Sequence, residues 1–85
     1  HWLGLDVHDP SSYSHNGKPI KLKPGMIFTV EPGIYINKET GIDKGFHNIG
    51  VRIEDDILIT NSGCEVLSRD VPKSVKDIEK LMSHA

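Results

Sequence analysis

Val30-Glu31-Pro32-Gly33-Ile34-Tyr35 places an acidic side chain at the end of one apolar run and follows it at once with Pro-Gly. The run before it, residues 26–30, is short and β-branched, which predicts a buried strand. Residues 34–36 alternate in the manner of a second short strand. A carboxylate among such residues is costly unless a cation or a hydrogen-bond donor meets it. Glu31 is therefore a candidate for a functional site.

A second carboxylate, Glu54, interrupts the longest apolar run of the chain, residues 51–60. The interruption predicts a bulge or a sharp bend in that strand. Arg52 stands two residues earlier, on the same face of a regular strand, where it can orient or neutralise Glu54. With His1 and His8 upstream, the candidate ligands are carboxylates and imidazoles without thiolate, a set that suits Mn²⁺, Co²⁺, Fe²⁺ or Zn²⁺.

The spacing of these four residues does not by itself identify a metal site. His1, His8, Glu31 and Glu54 are separated by 7, 23 and 23 residues, too far for a zinc finger or a helical His-Glu-x-x-His motif. Taken singly, each Glu is better explained as a solvent-facing strand residue and each His as a surface or packing residue. The pattern alone leaves both interpretations open.

The remaining chain reads as mostly β structure followed by one helix. Residues 10–19 are nearly all turn formers and predict a surface loop, and residues 37–48 predict a second loop or flap. A turn at 61–63 precedes a returning strand, residues 64–67. Ser74 followed by Asp77 predicts a capped helix that ends near Met82. The fold class is therefore α+β.

Composition excludes several classes of function. The 85 residues suffice for one small domain, the net charge is −2, and acidic and basic residues are mixed, so no basic patch predicts nucleic-acid binding. No apolar run approaches the roughly 18 residues of a membrane span. The single cysteine cannot form an internal disulfide, which favours a reducing, cytoplasmic compartment. Because the chain opens on His1 rather than Met, we expect a piece of a longer protein.

Four phrases in a fixed order resemble the Xaa-Pro aminopeptidase (aminopeptidase P) family of pita-bread metallopeptidases. They are His1-Trp2-Leu3-Gly4-Leu5-Asp6-Val7-His8-Asp9, Leu22-Lys23-Pro24-Gly25-Met26, Thr29-Val30-Glu31-Pro32-Gly33-Ile34-Tyr35 and Gly50-Val51-Arg52-Ile53-Glu54-Asp55-Asp56. The resemblance implies that residues 1–85 are the C-terminal part of a catalytic domain, a curved antiparallel sheet with a terminal helix. The upstream half of that domain and an N-terminal domain would lie outside this chain.

The resemblance also implies a role for each candidate residue. His1 would bind one metal ion, Glu31 would bind the same ion and handle the proton of the attacking water, and Glu54 would bridge two ions. His8 would stabilise the tetrahedral intermediate, and Arg52 and Tyr35 would surround the site. The family's two aspartate ligands and a further histidine precede this chain, which holds three of the five expected ligands. The isolated 85 residues are accordingly expected to be inactive.

The implied reaction removes the first residue from peptides that carry proline in second position, by attack of a metal-bridged hydroxide. The implied cofactors are two divalent ions, Mn²⁺ first, with Zn²⁺, Co²⁺ or Fe²⁺ as alternatives. The implied partner is such a peptide, without nucleic acid or membrane, and the intact protein would associate into dimers or tetramers. A prolidase-type dipeptidase and a non-catalytic pita-bread binding module remain alternatives.

Overall fold

The computed structural model describes residues 1–39 and 41–84. It contains seven strands, a short 3₁₀ turn at Lys44–Phe46 within the predicted 37–48 loop, and one helix. The strands are β1 (Ser14–His15), β2 (Lys18–Pro19), β3 (Ile27–Val30), β4 (Gly33–Ile36), β5 (Ile49–Arg52), β6 (Asp55–Thr60) and β7 (Gly63–Val66), and the helix is α1 (Val75–Met82). Thr40, part of the predicted flap, lies outside the described residues.

A bent antiparallel ribbon runs through the middle of the chain. Strand β3 pairs with β6 and β4 pairs with β5, and the register of the second pair continues that of the first. The ribbon is interrupted only at residues 31–32 and, opposite them, 53–54. Pro32 has no N–H to give to a ladder, although its carbonyl accepts the Ile53 N–H at 3.1 Å. The predicted bend in the 51–60 run is thus confirmed as a break between two strands.

Both edges of β3 and β6 are extended by further chain. Strand β7 pairs with β6 across the predicted turn after Thr60, one residue earlier than predicted. On the free edge of β3, the Thr29 N–H donates to the His1 carbonyl at 2.8 Å and the Leu3 N–H to the Ile27 carbonyl at 3.3 Å. Residues 1–3 therefore lie antiparallel to β3, which brings His1 beside Thr29.

The region predicted as one surface loop, residues 10–19, contains a small hairpin. Strands β1 and β2 pair across Asn16-Gly17, whose φ angles of 52° and 74° are those of a type I′ turn. The sequence contains the Asn-Gly turn signal, but strands of two residues are too short to show an alternating pattern. The predicted Pro24-Gly25 turn is present, with the Met26 N–H donating to the Lys23 carbonyl at 3.1 Å.

Helix α1 forms where its capping signal predicts. The Ser74 hydroxyl accepts the Asp77 backbone N–H at 3.1 Å, and Asp77 supplies an acidic side chain in the first turn. The helix ends at Met82, as predicted. Its apolar stripe, Val75, Ile78, Leu81 and Met82, remains exposed.

The described residues form no buried apolar core. The predicted buried strand β3 is only partly covered, because Ile27 and Val30 are exposed and Thr29, at 6% exposure, is the one buried residue within 1–39 and 41–84. The accessible surface is 7320 Å², whereas a folded monomer of this mass has about 5,000 Å². The radius of gyration is 17.1 Å, against about 12 Å for a compact domain of this length. The described helix is too short to cross a bilayer.

Candidate metal centre

The register of the ribbon places two carboxylates opposite each other at its break. Val30 pairs with Asp55 on one side of the break and Gly33 with Arg52 on the other, so Glu31 stands directly across from Glu54. Side chains in such cross-strand positions have Cβ atoms about 4.5–5.5 Å apart, and like charges placed there repel. A cation between the two carboxylates would reverse that repulsion.

His1 completes a three-residue cluster with these carboxylates. Its Nε2 lies 3.2 Å from Glu31 Oε2 and 4.0 Å from Glu54 Oε1. One potential ligand atom from each of the three residues falls within 4.8 Å of the others. The side chains are 16%, 25% and 41% exposed for His1, Glu31 and Glu54, so the cluster is open on the Glu54 side.

Thr29 holds Glu31 from behind. Its hydroxyl donates to Glu31 Oε2 at 2.7 Å, and the His1 amino group donates to the same hydroxyl oxygen at 3.1 Å. Thr29 and Glu31 are two residues apart on the same face of the ribbon, which gives this contact its geometry. The hydroxyl, with Arg52 as a smaller cause, lowers the pKa of Glu31 below its usual value. A carboxylate that stays ionised is the form a metal ion requires.

Arg52 and Tyr35 adjoin Glu31 on the same face. Arg52 Nε lies 3.7 Å from Glu31 Oε1, and its Nη1 donates to the Tyr35 hydroxyl at 3.4 Å. The Tyr35 ring rests on the two glycines of the ribbon: a Cβ on Gly50 would lie 3.0 Å from Tyr35 Cδ1, and one on Gly33 would overlap the Tyr35 hydroxyl. The ring reaches Arg52 because neither glycine has a side chain.

His8 lies beside the cluster. Its ring packs edge-on against the His1 ring, with the centroids 4.7 Å apart and the planes at 81°. A bridge between Trp2 and Asp9 folds residues 1–9 back on themselves and brings the two histidines together. His8 is exposed, so its ring can face a bound molecule.

The structure thus brings all six sequence-predicted site residues to one face of the molecule. His1, Glu31 and Glu54 form its centre, and His8, Arg52 and Tyr35 border it. Thr29 was missed, although a hydroxyl two residues before a candidate ligand on a strand is a readable signal. The donor set is one imidazole and two carboxylates whose negative charges face each other. It fits a divalent cation of the borderline or hard type.

Comparisons with known proteins show the family to which the chain is related. The model of metallopeptidase family M24 matches residues 1–61. The Xaa-Pro aminopeptidase of Haemophilus influenzae is 51% identical over 83 residues, covering 98% of this chain and 19% of that protein.

Solved structures give the same result. Aminopeptidase PepP of Pseudomonas aeruginosa is similar with a TM-score of 0.87 at 54% identity, over 99% of this chain and 19% of that one. Aminopeptidase P from E. coli with the inhibitor Pro-Leu is similar with a TM-score of 0.84 at 48% identity, over 99% of this chain and 19% of that one. These likenesses confirm the α+β fold predicted from the resemblance, the C-terminal part of a pita-bread fold.

Proposed function

The chain belongs to metallopeptidase family M24, and from this premise we propose that the protein carrying it is a metal-dependent Xaa-Pro aminopeptidase. The observation that carries the proposal is the opposition of Glu31 and Glu54 with His1 beside both. Structural carboxylates do not ordinarily face one another across a ladder, because the pair is unfavourable without a cation.

Two divalent ions, Mn²⁺ first, are the proposed cofactors. Within this chain, His1 and Glu31 would hold one ion and Glu54 would be shared by both, and the missing ligands would come from upstream of residue 1. Bound there, the ions would supply an activated water as the nucleophile. The isolated chain would therefore lack part of the site and be inactive.

Each residue near the cluster has a proposed task in the reaction. Glu31 takes up a proton from the attacking water and passes it to the proline nitrogen as the scissile bond breaks. Thr29 fixes the Oε2 side of that carboxylate, and Arg52 faces its Oε1. His8, exposed beside His1, donates a hydrogen bond to the oxyanion that forms from the scissile carbonyl.

The proposed substrate is a peptide with proline in second position. The bond before proline is a tertiary amide without an N–H, which ordinary aminopeptidases do not handle. The relatives described above are named Xaa-Pro aminopeptidases or aminopeptidases P, and that shared name supports the choice over a dipeptidase.

The test is an assay of the full-length protein loaded with Mn²⁺. Release of the first residue from an Xaa-Pro-Yaa tripeptide is measured beside cleavage of an Xaa-Pro dipeptide, with Glu31→Ala and Glu54→Ala in parallel. Tripeptide cleavage that both substitutions abolish would support the proposal. Cleavage of the dipeptide alone would replace it with a prolidase-type activity, and no metal-dependent turnover of either peptide would favour a binding module.

A further inference from the structure

A second polar cluster lies directly beside Glu54. Asp55, the next residue, begins β6, and its carboxylate Oδ1 accepts the Ser68 hydroxyl at 2.8 Å and contacts Lys73 Nζ at 3.0 Å. The Ser68 hydroxyl oxygen in turn accepts the Asp56 backbone N–H at 3.0 Å. Ser68 thus binds β6 through its side chain, just beyond the last backbone hydrogen bond, in which the Leu67 N–H donates to the Asp56 carbonyl.

Lys73 is the centre of this cluster. An ammonium group has three N–H donors, and Lys73 has three acceptors in reach. They are Asp55 Oδ1 at 3.0 Å, the Val71 carbonyl at 3.0 Å and the Ser68 carbonyl at 3.3 Å. The side chains of Lys73 and Asp55 are only 27% and 23% exposed. Lys73 thereby folds the connection between β7 and α1, residues 67–74, onto the first residue of β6.

The position of Asp55 gives this contact a consequence for the site. Asp55 follows Glu54 in the chain and pairs with Val30, which precedes Glu31. It is therefore the last ladder pair before the two carboxylates. On the other side of Glu54, Ile53 stands opposite Pro32. This pair has one hydrogen bond fewer than a ladder pair, since Pro32 has no N–H. A displacement of Asp55 would therefore change the direction in which Glu54 leaves the strand.

We propose that Lys73, together with Ser68, is a positioning residue that holds Asp55 and through it keeps Glu54 opposite Glu31. The inference rests on the proposed metal site and deepens it. Partners that orient metal ligands typically contribute 10- to 100-fold to metal affinity. Because Lys73 acts one residue away from Glu54, we expect the lower end of that range.

The experiment measures Mn²⁺ affinity by titration in the full-length protein and in Lys73→Met, which keeps an unbranched side chain one atom shorter and removes its charge. The matched control is Arg69→Met. Arg69 lies on the same connection, and its exposed ion pair with Glu65 of β7, with the N and O atoms 3.0 Å apart, does not involve Asp55. We expect Lys73→Met to weaken Mn²⁺ binding about tenfold and Arg69→Met to leave it within about twofold. Ser68→Ala, which removes only a hydroxyl group, should weaken binding in the same direction and covers the case in which Lys73→Met does not fold.

A second comparison separates positioning from general stabilisation. In a Glu54→Gln background the Lys73→Met change should have no further effect on Mn²⁺ affinity, because the group being positioned is no longer a carboxylate. Wild-type affinity in Lys73→Met and Ser68→Ala, while Glu54→Gln binds Mn²⁺ more weakly, would overturn the role of Lys73 and leave the metal site intact. Wild-type affinity in Glu54→Gln itself would overturn the metal site and the positioning role together.

Discussion

Replacing Thr29 with valine tests how the candidate site keeps Glu31 ready to bind a cation. The substitution preserves the shape of a residue that is only 6% exposed and removes the hydroxyl that donates to Glu31 Oε2 at 2.7 Å. Arg52 stays 3.7 Å from the other oxygen, Oε1, so part of the support survives. Loss of one such partner lowers metal affinity by about 10- to 100-fold in general, and the remaining Arg52 places the expected loss near tenfold.

The same change has a defined pH dependence. The Thr29 hydroxyl is the main cause that lowers the pKa of Glu31. A lowered pKa contributes stability above the carboxyl group's unfolded pKa, and this contribution is lost as the pH falls through the folded pKa. In Thr29→Val the pKa of Glu31 rises, so Mn²⁺ binding should fail at a higher pH than in the wild type.

The assay is a titration of Mn²⁺ into the full-length protein at a series of pH values from about 3 to 7, a range that includes the usual pKa of a Glu carboxyl group. Thr29→Ser is the control, because it keeps the hydroxyl and loses the methyl group. We expect Thr29→Ser to behave like the wild type. Thr29→Val should bind Mn²⁺ more weakly and should lose binding at a higher pH as the solution is acidified. Equal affinity and equal pH dependence in Thr29→Val and Thr29→Ser would refute the reasoning.

Two further predictions concern the ribbon and the exposed apolar surface. Gly50→Ala adds a methyl group 3.0 Å from Tyr35 Cδ1. The methyl group should displace the ring from Arg52 and lower kcat/KM severalfold. Gly45→Ala is the control, because the nearest atom there is 3.6 Å away, and it should leave kcat/KM unchanged. Equal kinetics in both variants would contradict a role for the Tyr35 ring. The isolated 85 residues should unfold in urea without a cooperative transition, because no apolar side chain is buried among residues 1–39 and 41–84. Coincident sigmoidal transitions by Trp2 fluorescence and circular dichroism, with a slope of about 1 kcal/mol/M or more, would show that prediction to be wrong.

Much of the local structure could be predicted from the sequence, because the decisive signals are local. Pro-Gly after Glu31, the acidic interruption at Glu54 and the Ser74 cap each act within a few residues, and the element boundaries next to them follow from these signals. The hairpin at residues 14–19 escaped because two-residue strands carry no periodicity. The expected buried strand was wrong in its degree of burial, since a short apolar run indicates a strand that needs to be covered but does not show what covers it.

The candidate site was predicted in its members and not in its arrangement. Intervals of 23 residues say nothing about distance, and the opposition of Glu31 and Glu54 follows from a register that only the folded ribbon shows. Thr29 was missed although its position two residues before Glu31 is readable from the sequence, whereas Lys73 could not be assigned in advance. Lys73 reaches Asp55 through a turn of the connection after β7, and no sequence pattern relates the two positions.

The most direct test of the central claim is the anomalous diffraction of the full-length protein crystallised with Mn²⁺. We predict an anomalous peak within bonding distance of His1 Nε2 and of carboxylate oxygens of both Glu31 and Glu54, and a weaker peak in crystals of Glu54→Gln. Density in which His1 remains in contact with Glu31, with no anomalous peak between the two carboxylates at saturating Mn²⁺, would contradict the account.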